Sequence, residues 1–127
     1  MDFPRWILLG IGVIFVPFGM WALAQPVAVA GMTEVQLPTP AALADGRAVY
    51  GGLTLGLGAF FLLAALRRSM VRAGLWAAFL SIGAAGFGRA LGVVLDGARG
   101  PAVFPTLGFE IVLAALTAFA LTRDQHQ

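Results

Sequence analysis

Four long apolar segments constrain this chain more than any other feature of its sequence. About 20 helical residues cross the hydrocarbon core of a bilayer, and each segment is about that long. In lipid every backbone polar group must be satisfied internally, so such spans are helices rather than open strands. The sequence therefore predicts an all-α integral membrane four-helix bundle, a single domain over residues 1–127, with spans at about 6–24, 46–66, 74–95 and 105–122.

The composition excludes several functional classes. Hydrophobic residues make up 60% of the chain and charged residues 11%, far from the composition of a soluble domain. Eight arginines against six carboxylates leave a small positive excess, which is not the basic patch of a nucleic-acid-binding protein. Without cysteine, and with His126 as the single histidine, the chain lacks the ligands of a thiolate zinc or iron–sulfur site. We therefore expect no cofactor and no nucleic-acid partner.

The end of the first span, "ALAQP" at residues 22–26, resembles the small-residue end of a secretory signal peptide. Cleavage there would leave three spans. The apolar stretch is longer than a typical signal core, however, and Pro17 interrupts it. We therefore expect four spans.

The arginines predict the orientation of the spans. Arg5 precedes the first span, Arg67, Arg68 and Arg72 lie between the second and third, and Arg123 follows the fourth. By the positive-inside rule, both termini are expected to be cytoplasmic. The opposite side then carries two loops. In the longer one, "VAVAGMTEVQLP" is expected to form a short extended segment or a hairpin, and Thr39 and Pro40 are expected to start a helix as N-cap and first residue.

Polar residues of the last three spans share one depth near the outer side. At about 1.5 Å per helical residue, Tyr50, Arg89 and Glu110 each lie roughly 7 to 11 Å inside the outer end of their span. Arg47 and Asp96 lie closer to that end, and each shares a helical face with one of them. The sequence thus predicts a cluster of ligand-binding residues between these spans, comprising Arg47, Tyr50, Arg89, Asp96 and Glu110.

Glycines accompany this polar cluster. "GLTLG" at residues 52–56 and "GRALG" at residues 88–92 both have the GxxxG spacing, which lets helix backbones approach closely. Small residues at this spacing serve packing within one bundle as readily as dimerisation. The helix-packing residues predicted here are Gly51, Gly52, Gly56, Gly88 and Gly92.

Each of these polar residues also has a simpler interpretation. A bridge between Arg89 and Glu110 satisfies two charges that are costly in lipid, so a structural pair and a functional site are equally supported. Arg47 lies near the interface, where its long side chain can reach water. Tyr50, like the tryptophans, is most simply an aromatic anchor at the membrane interface. The motif "DGARG" at residues 96–100 is expected to form a turn, because it lacks the lysine of a phosphate-binding loop.

The series "RAVYGGLTLGLG", "GRALGVVLDG" and "FE" resembles a bacterial family of four-helix membrane proteins, the domain-of-unknown-function family 4345. The resemblance covers nearly the whole chain, and Arg-Ala-x-Tyr-Gly-Gly is its most specific element. It implies a bacterial inner membrane location but no activity. The residues that the resemblance marks are Arg47, Tyr50, Gly51, Gly52, Gly56, Arg89, Asp96, Gly97 and Glu110. A more distant similarity is to DoxX-like four-helix proteins, and to sterol-binding four-helix proteins in architecture.

These features favour a non-enzymatic membrane protein with one of two roles. It binds a membrane lipid or small amphipathic ligand at the polar cluster, with Phe60, Phe87 and Phe109 as apolar walls, or it is an accessory subunit of a larger membrane complex or homo-oligomer.

Two alternatives remain open. A membrane enzyme would use Glu110 and Tyr50 for proton transfer on a lipid-soluble substrate, although a facing arginine favours the ionised carboxylate. A small four-helix transporter is the second alternative, although the sequence has no convincing internal repeat for alternating access. In small multidrug exporters, moreover, the membrane glutamate lies in the first helix, whereas here the first span has no charge.

Overall fold

A computed structural model describes residues 1–124, so His126 lies outside the described residues. Within this range the chain is helical and contains no strand. Its α-helices are α1 (Phe3–Ala24), α2 (Pro26–Gly31), α3 (Pro40–Gly46), α4 (Thr54–Leu66), α5 (Val71–Asp96) and α6 (Val103–Asp124). A π-helical segment, Arg47–Leu53, joins α3 to α4, and a 3₁₀ turn, Arg68–Met70, precedes α5.

Four of the helical stretches are long and apolar enough to cross a membrane, as expected of a multi-pass membrane protein. The second stretch runs from Pro40 to Leu66, because α3, the π-helical segment and α4 are continuous. The other three are Phe3–Ala24, Arg68–Asp96 and Val103–Asp124. Pro17 lies inside α1 without ending it. The all-helical fold predicted from hydropathy is therefore confirmed.

The chain divides into two compact units. The first comprises residues 1–8 and residue 63 onward, and the second comprises Leu9–Leu62.

In the Leu9–Leu62 unit, α1 and α4 approach each other at glycines. A Cβ atom built on Gly58 would lie 2.9 Å from the amide nitrogen of Val16, and one built on Gly19 would lie 2.6 Å from the amide nitrogen of Leu55. Contacts that short with main-chain atoms leave no room for a side chain. Phe61 is fully buried, and its ring meets that of Phe15 edge to face at 5.7 Å.

The connection after α1 begins with a helix over residues 26–31 and a turn over residues 32–34, so the hairpin or extended segment expected from "VAVAGMTEVQLP" is wrong for this part. Residues 35–38 have no regular secondary structure. Pro26 starts α2 at a position where its missing N–H is not needed, and two alanines continue the helix. Val29 and Ala30 are buried in this helix, and burial of their apolar side chains favours the helix over an exposed hairpin.

The start of α3 agrees with the expectation from the sequence. The Thr39 side chain accepts a hydrogen bond from the Ala42 amide at 3.1 Å, and Pro40 occupies the first turn. Thr39 and Pro40 therefore start α3, as their positions in the sequence predict.

The other unit is built around the antiparallel hairpin of α5 and α6. Helix α5 ends at Asp96 and is capped by Gly97, whose φ of 69° places it in the left-handed region that glycine adopts without strain. The amide of Ala98 donates to the Gly92 carbonyl at 3.2 Å, which closes the turn. "DGARG" is thus a helix-ending turn, as expected.

At the opposite end of this hairpin, the arginine-rich segments meet. Nε of Arg5 donates to the Ala65 carbonyl at 2.6 Å, one of the last carbonyls of α4. Arg68 lies 3.6 Å from Asp2, and Arg72 lies 3.9 Å from Asp124. The N-terminal segment, the α4–α5 connection and the end of α6 therefore share one end of this unit.

Candidate functional site

An ion pair between α5 and α6 is the central feature of the candidate site. Nε of Arg89 donates to Oε1 of Glu110 at 2.7 Å, and Nη2 approaches Oε2 at 3.4 Å. The Glu110 side chain is 10% exposed and the Arg89 side chain 29% exposed. The guanidinium therefore approaches both carboxylate oxygens, with one short and one long contact.

The hairpin places these two residues opposite each other. At about 1.5 Å per residue, Arg89 lies about 10 Å before the end of α5, and Glu110 lies about 10 Å after the start of α6. The short connection Gly97–Ala102 makes these depths equal. The partnership expected from equal depth is thus present in the structure.

Close packing of the hairpin at Gly86 keeps Glu110 in the seam between the two helices. A Cβ atom built on Gly86 would lie 3.3 Å from the Cβ of Glu110, tighter than an ordinary van der Waals contact. One turn earlier, a Cβ on Gly83 would lie 4.0 Å from the Cβ of Ala114. Glycine at position 86 therefore lets the α5 backbone reach the charged residue of α6.

A groove of about 270 Å³ runs along this seam. Glu110 is its one lining residue with a polar side chain. The α5 wall consists of Gly83, Gly86, Phe87 and Ala90, and the α6 wall consists of Leu107, Glu110, Ile111 and Ala114.

Arg89 does not line this groove. At about 100° per residue, Arg89 and Phe87 lie about 200° apart around α5, so they project from opposite edges of the helix. Glu110 in the seam thus contacts Arg89 from one side and borders the groove on the other. Of the three phenylalanines expected as apolar walls, Phe87 lines the groove, and Phe60 and Phe109 do not.

In the Leu9–Leu62 unit, Arg47 has a partner that the sequence did not suggest. Its Nη1 donates to the main-chain carbonyl of Leu23, one of the last carbonyls of α1. A cation beside a helix C-terminus is also favoured by the helix dipole. Arg47 therefore caps α1 from the neighbouring span.

The backbone at "RAVYGGL" is π-helical, which alters the face expected there. The expectation that Arg47 and Tyr50 share one face depends on the period of an α-helix, whereas a π-helix bonds i to i+5. Gly51 packs on α1, since a Cβ there would lie 2.9 Å from the Leu23 amide nitrogen. Tyr50 is half-buried, and its hydroxyl makes no hydrogen bond to another residue within the described range.

The remaining site residues have open surroundings. Asp96 is the last residue of α5 and is exposed. Apart from the nearby backbone of its own helix, a Cβ built on Gly52 would meet one atom of residues 1–124 within 4 Å, the Arg47 carbonyl oxygen at 3.8 Å. By the same measure, one built on Gly56, Gly88 or Gly92 would meet none. A single concavity joining Arg47 and Tyr50 to the ion pair stays a prediction.

Sequence reasoning missed most of the groove lining. Gly83, Ala90 and Ala114 are small, uncharged residues within apolar spans, and nothing in their type marks them as special. The i, i+3, i+7 spacing of Gly83, Gly86 and Ala90 is the one signal that points to a recessed face on α5.

Comparisons with known proteins identify a family without an assigned activity. No curated protein matches this chain. No solved structure matches it either. The family model of DUF4345, a domain of unknown function, matches residues 3–121, nearly the whole chain, and the protein belongs to this family.

Proposed function

We propose that this protein is a non-enzymatic membrane protein that binds a lipid-like or small amphipathic molecule in the α5–α6 groove. The observation that carries the proposal is the position of Glu110. It is a buried carboxylate that lies 2.7 Å from Arg89 and is also the one lining residue with a polar side chain in an otherwise apolar groove. Sites of this kind combine apolar walls with a few polar groups that orient the ligand.

The cost of a charge within a span supports this interpretation. Placing an ionisable residue at the centre of a membrane helix costs roughly 2.5 to 3.5 kcal/mol on insertion scales, so such residues face partners or cavities. A bridge between α5 and α6 would satisfy Glu110 equally well if apolar side chains filled the seam. Here glycine and alanine leave a recess beside the carboxylate, which lets a ligand reach it.

The location is part of the proposal. The family resemblance supports a bacterial inner membrane, and the arginines at one end of the α5–α6 unit support cytoplasmic termini by the positive-inside rule. Glu110 lies toward the other end of α6, so it would face the outer-leaflet half of the bilayer.

A second candidate role is that of an accessory subunit of a membrane complex or a homo-oligomer. The observation that favours it is the open glycine face of α5, because a Cβ on Gly88 or Gly92 would meet no atom within 4 Å. Glycine inside a helix costs about 1 kcal/mol relative to alanine, and packing within residues 1–124 does not use these two. A helix of another chain would use them.

Native mass spectrometry of the gently purified protein tests the two roles. We expect a co-purifying amphipathic molecule that Gly83→Leu removes, since this side chain would fill the groove. Gly88→Leu is the matched control, the same change on the same helix outside the groove lining, and should retain the molecule. Recovery of a stable protein complex without any bound amphipath would overturn the binding role and favour the subunit.

A further inference from the structure

The hydrogen-bonding capacity of Glu110 is only partly used. A carboxylate offers about four lone-pair sites on its two oxygens. Arg89 donates to Oε1 at 2.7 Å and approaches Oε2 at 3.4 Å. Among residues 1–124 no other side chain or amide donates to this carboxylate. Glu110 therefore retains acceptor sites for a donor that comes from outside the chain.

The groove itself offers no hydrogen-bond donor. Its other lining side chains are those of glycine, alanine, leucine, isoleucine and phenylalanine. All lining residues lie beyond the first turn of α5 or α6, so their amides donate within their own helix. An anionic headgroup would thus meet a carboxylate and no compensating N–H, while the guanidinium of Arg89 projects from the opposite edge of α5.

A cationic headgroup is also disfavoured. Arg89 and Glu110 together carry no net charge, so a bound cation would leave one uncompensated positive charge within the apolar part of the hairpin. An uncharged hydroxyl group adds no charge and supplies the missing donor. Its apolar body would lie along Phe87 and Ile111, the two large exposed side chains of the groove walls.

We propose that the α5–α6 groove takes an uncharged amphipathic alcohol, whose hydroxyl donates a hydrogen bond to Glu110 and whose hydrocarbon body fills the apolar groove. This inference rests on the proposed function and adds the chemical class of the ligand. A preference for an uncharged hydroxyl group distinguishes this groove from a site for phosphate or carboxylate headgroups.

Photo-cross-linking with three matched probes tests the ligand class. The purified full-length protein in phosphatidylcholine vesicles is exposed to an alcohol, a carboxylic acid and a primary amine that share one diazirine-bearing alkyl chain. Peptide mapping then measures labelling of residues 83–90 and 107–114. We expect the alcohol to label these segments at least about fivefold more than either charged probe. Gly83→Leu should abolish this labelling, and Gly88→Leu should not.

A pair of double variants tests the acceptor itself. Arg89→Met with Glu110→Gln and Arg89→Met with Glu110→Leu both remove the two charges, but only the first keeps an acceptor oxygen. Alcohol labelling should be about three- to tenfold higher in the glutamine variant, as expected for one hydrogen bond. Circular dichroism and size-exclusion profiles show that both variants are folded before they are compared. Equal labelling of the two folded variants would overturn the role of Glu110.

The outcomes separate the two proposals. If no probe labels the groove segments, both the binding function and the ligand class are wrong. If the acid or amine labels them as strongly as the alcohol, and Gly83→Leu blocks that labelling, the groove binds amphipaths and only the preference for an alcohol is wrong.

Discussion

Nε of Arg89 lies 2.7 Å from Oε1 of Glu110, so two apolar helices are joined by one ion pair. Both side chains are largely buried, and neither has another side-chain partner within residues 1–124. Removal of one partner therefore leaves the other as an isolated charge.

A double-mutant cycle on this pair should show strong coupling. We expect Arg89→Met or Glu110→Met alone to lower the free energy of unfolding by about 3 to 5 kcal/mol, because each leaves an uncompensated buried charge. The double variant should lose less than the sum by about 1 to 3 kcal/mol. Unfolding in detergent with increasing denaturant measures these values. The control is Arg99→Met, which removes an arginine from the α5–α6 connection. If the losses at positions 89 and 110 are additive, the two residues do not interact.

Glycines of α4 should differ in their response to alanine. Gly58→Ala places a methyl group 2.9 Å from the Val16 amide nitrogen, so α1 and α4 must separate, and we expect a loss of about 1 to 3 kcal/mol. Gly56→Ala on the same helix meets no atom within 4 Å and should be neutral or stabilising by up to about 1 kcal/mol. Thermal denaturation of the two variants in parallel makes the comparison. Equal midpoints would contradict the close approach at Gly58.

Loss of the Arg47 cap on α1 should lower the free energy of unfolding by less than loss of the ion pair. Arg47→Met removes the donor to the Leu23 carbonyl while keeping an apolar stem, and we expect a loss of about 1 kcal/mol. Arg47→Lys, which retains a positive charge near the helix end, should recover part of the loss. The same denaturation assay applies to both. A methionine variant as stable as the natural chain would mean that this hydrogen bond contributes nothing.

Orientation can be measured because the sequence contains no cysteine. Ser69 and Thr33 are both exposed, and they lie in the connections that follow and precede the second span in the sequence. On intact cells, a membrane-impermeant thiol reagent should label Thr33→Cys and should label Ser69→Cys only after permeabilisation. The reverse pattern would invert the protein and place Glu110 in the cytoplasmic half of the bilayer.

Tyr50 tests the wider site expected from the sequence. Tyr50→Phe removes one hydroxyl group that has no protein partner in the described part of the chain, so folding should not change. If Tyr50 belongs to the ligand site, photo-labelling by the alcohol probe should fall several-fold. Unchanged labelling would restrict the site to α5 and α6.

The sequence predicted those features that depend on properties of single helices. Hydropathy located the spans, because about 20 apolar residues have few alternatives to a membrane helix. Rise per residue placed Arg89 and Glu110 at equal depth, and a short connection made them neighbours. The cap at Thr39 followed from local chemistry alone.

Features that depend on how one helix packs against another could not be predicted from the properties of single helices. The face of α5 that carries Gly83 and Gly86 is evident from spacing, but the side chains of α6 that meet it are not. The hydrogen bond from Arg47 to Leu23 could not be predicted, because a main-chain carbonyl leaves no trace in the sequence. The π-helical backbone at residues 47–53 changes the angular period on which the expected face depended.

The hydrogen bond from Arg47 to Leu23 also has a consequence for biosynthesis. Leu23 is translated before Arg47, so the acceptor at the end of α1 already exists when the arginine of the next span leaves the ribosome. The arginine can pair with that carbonyl only once the second span has been made, so α1 gains this cap after the second span is in place.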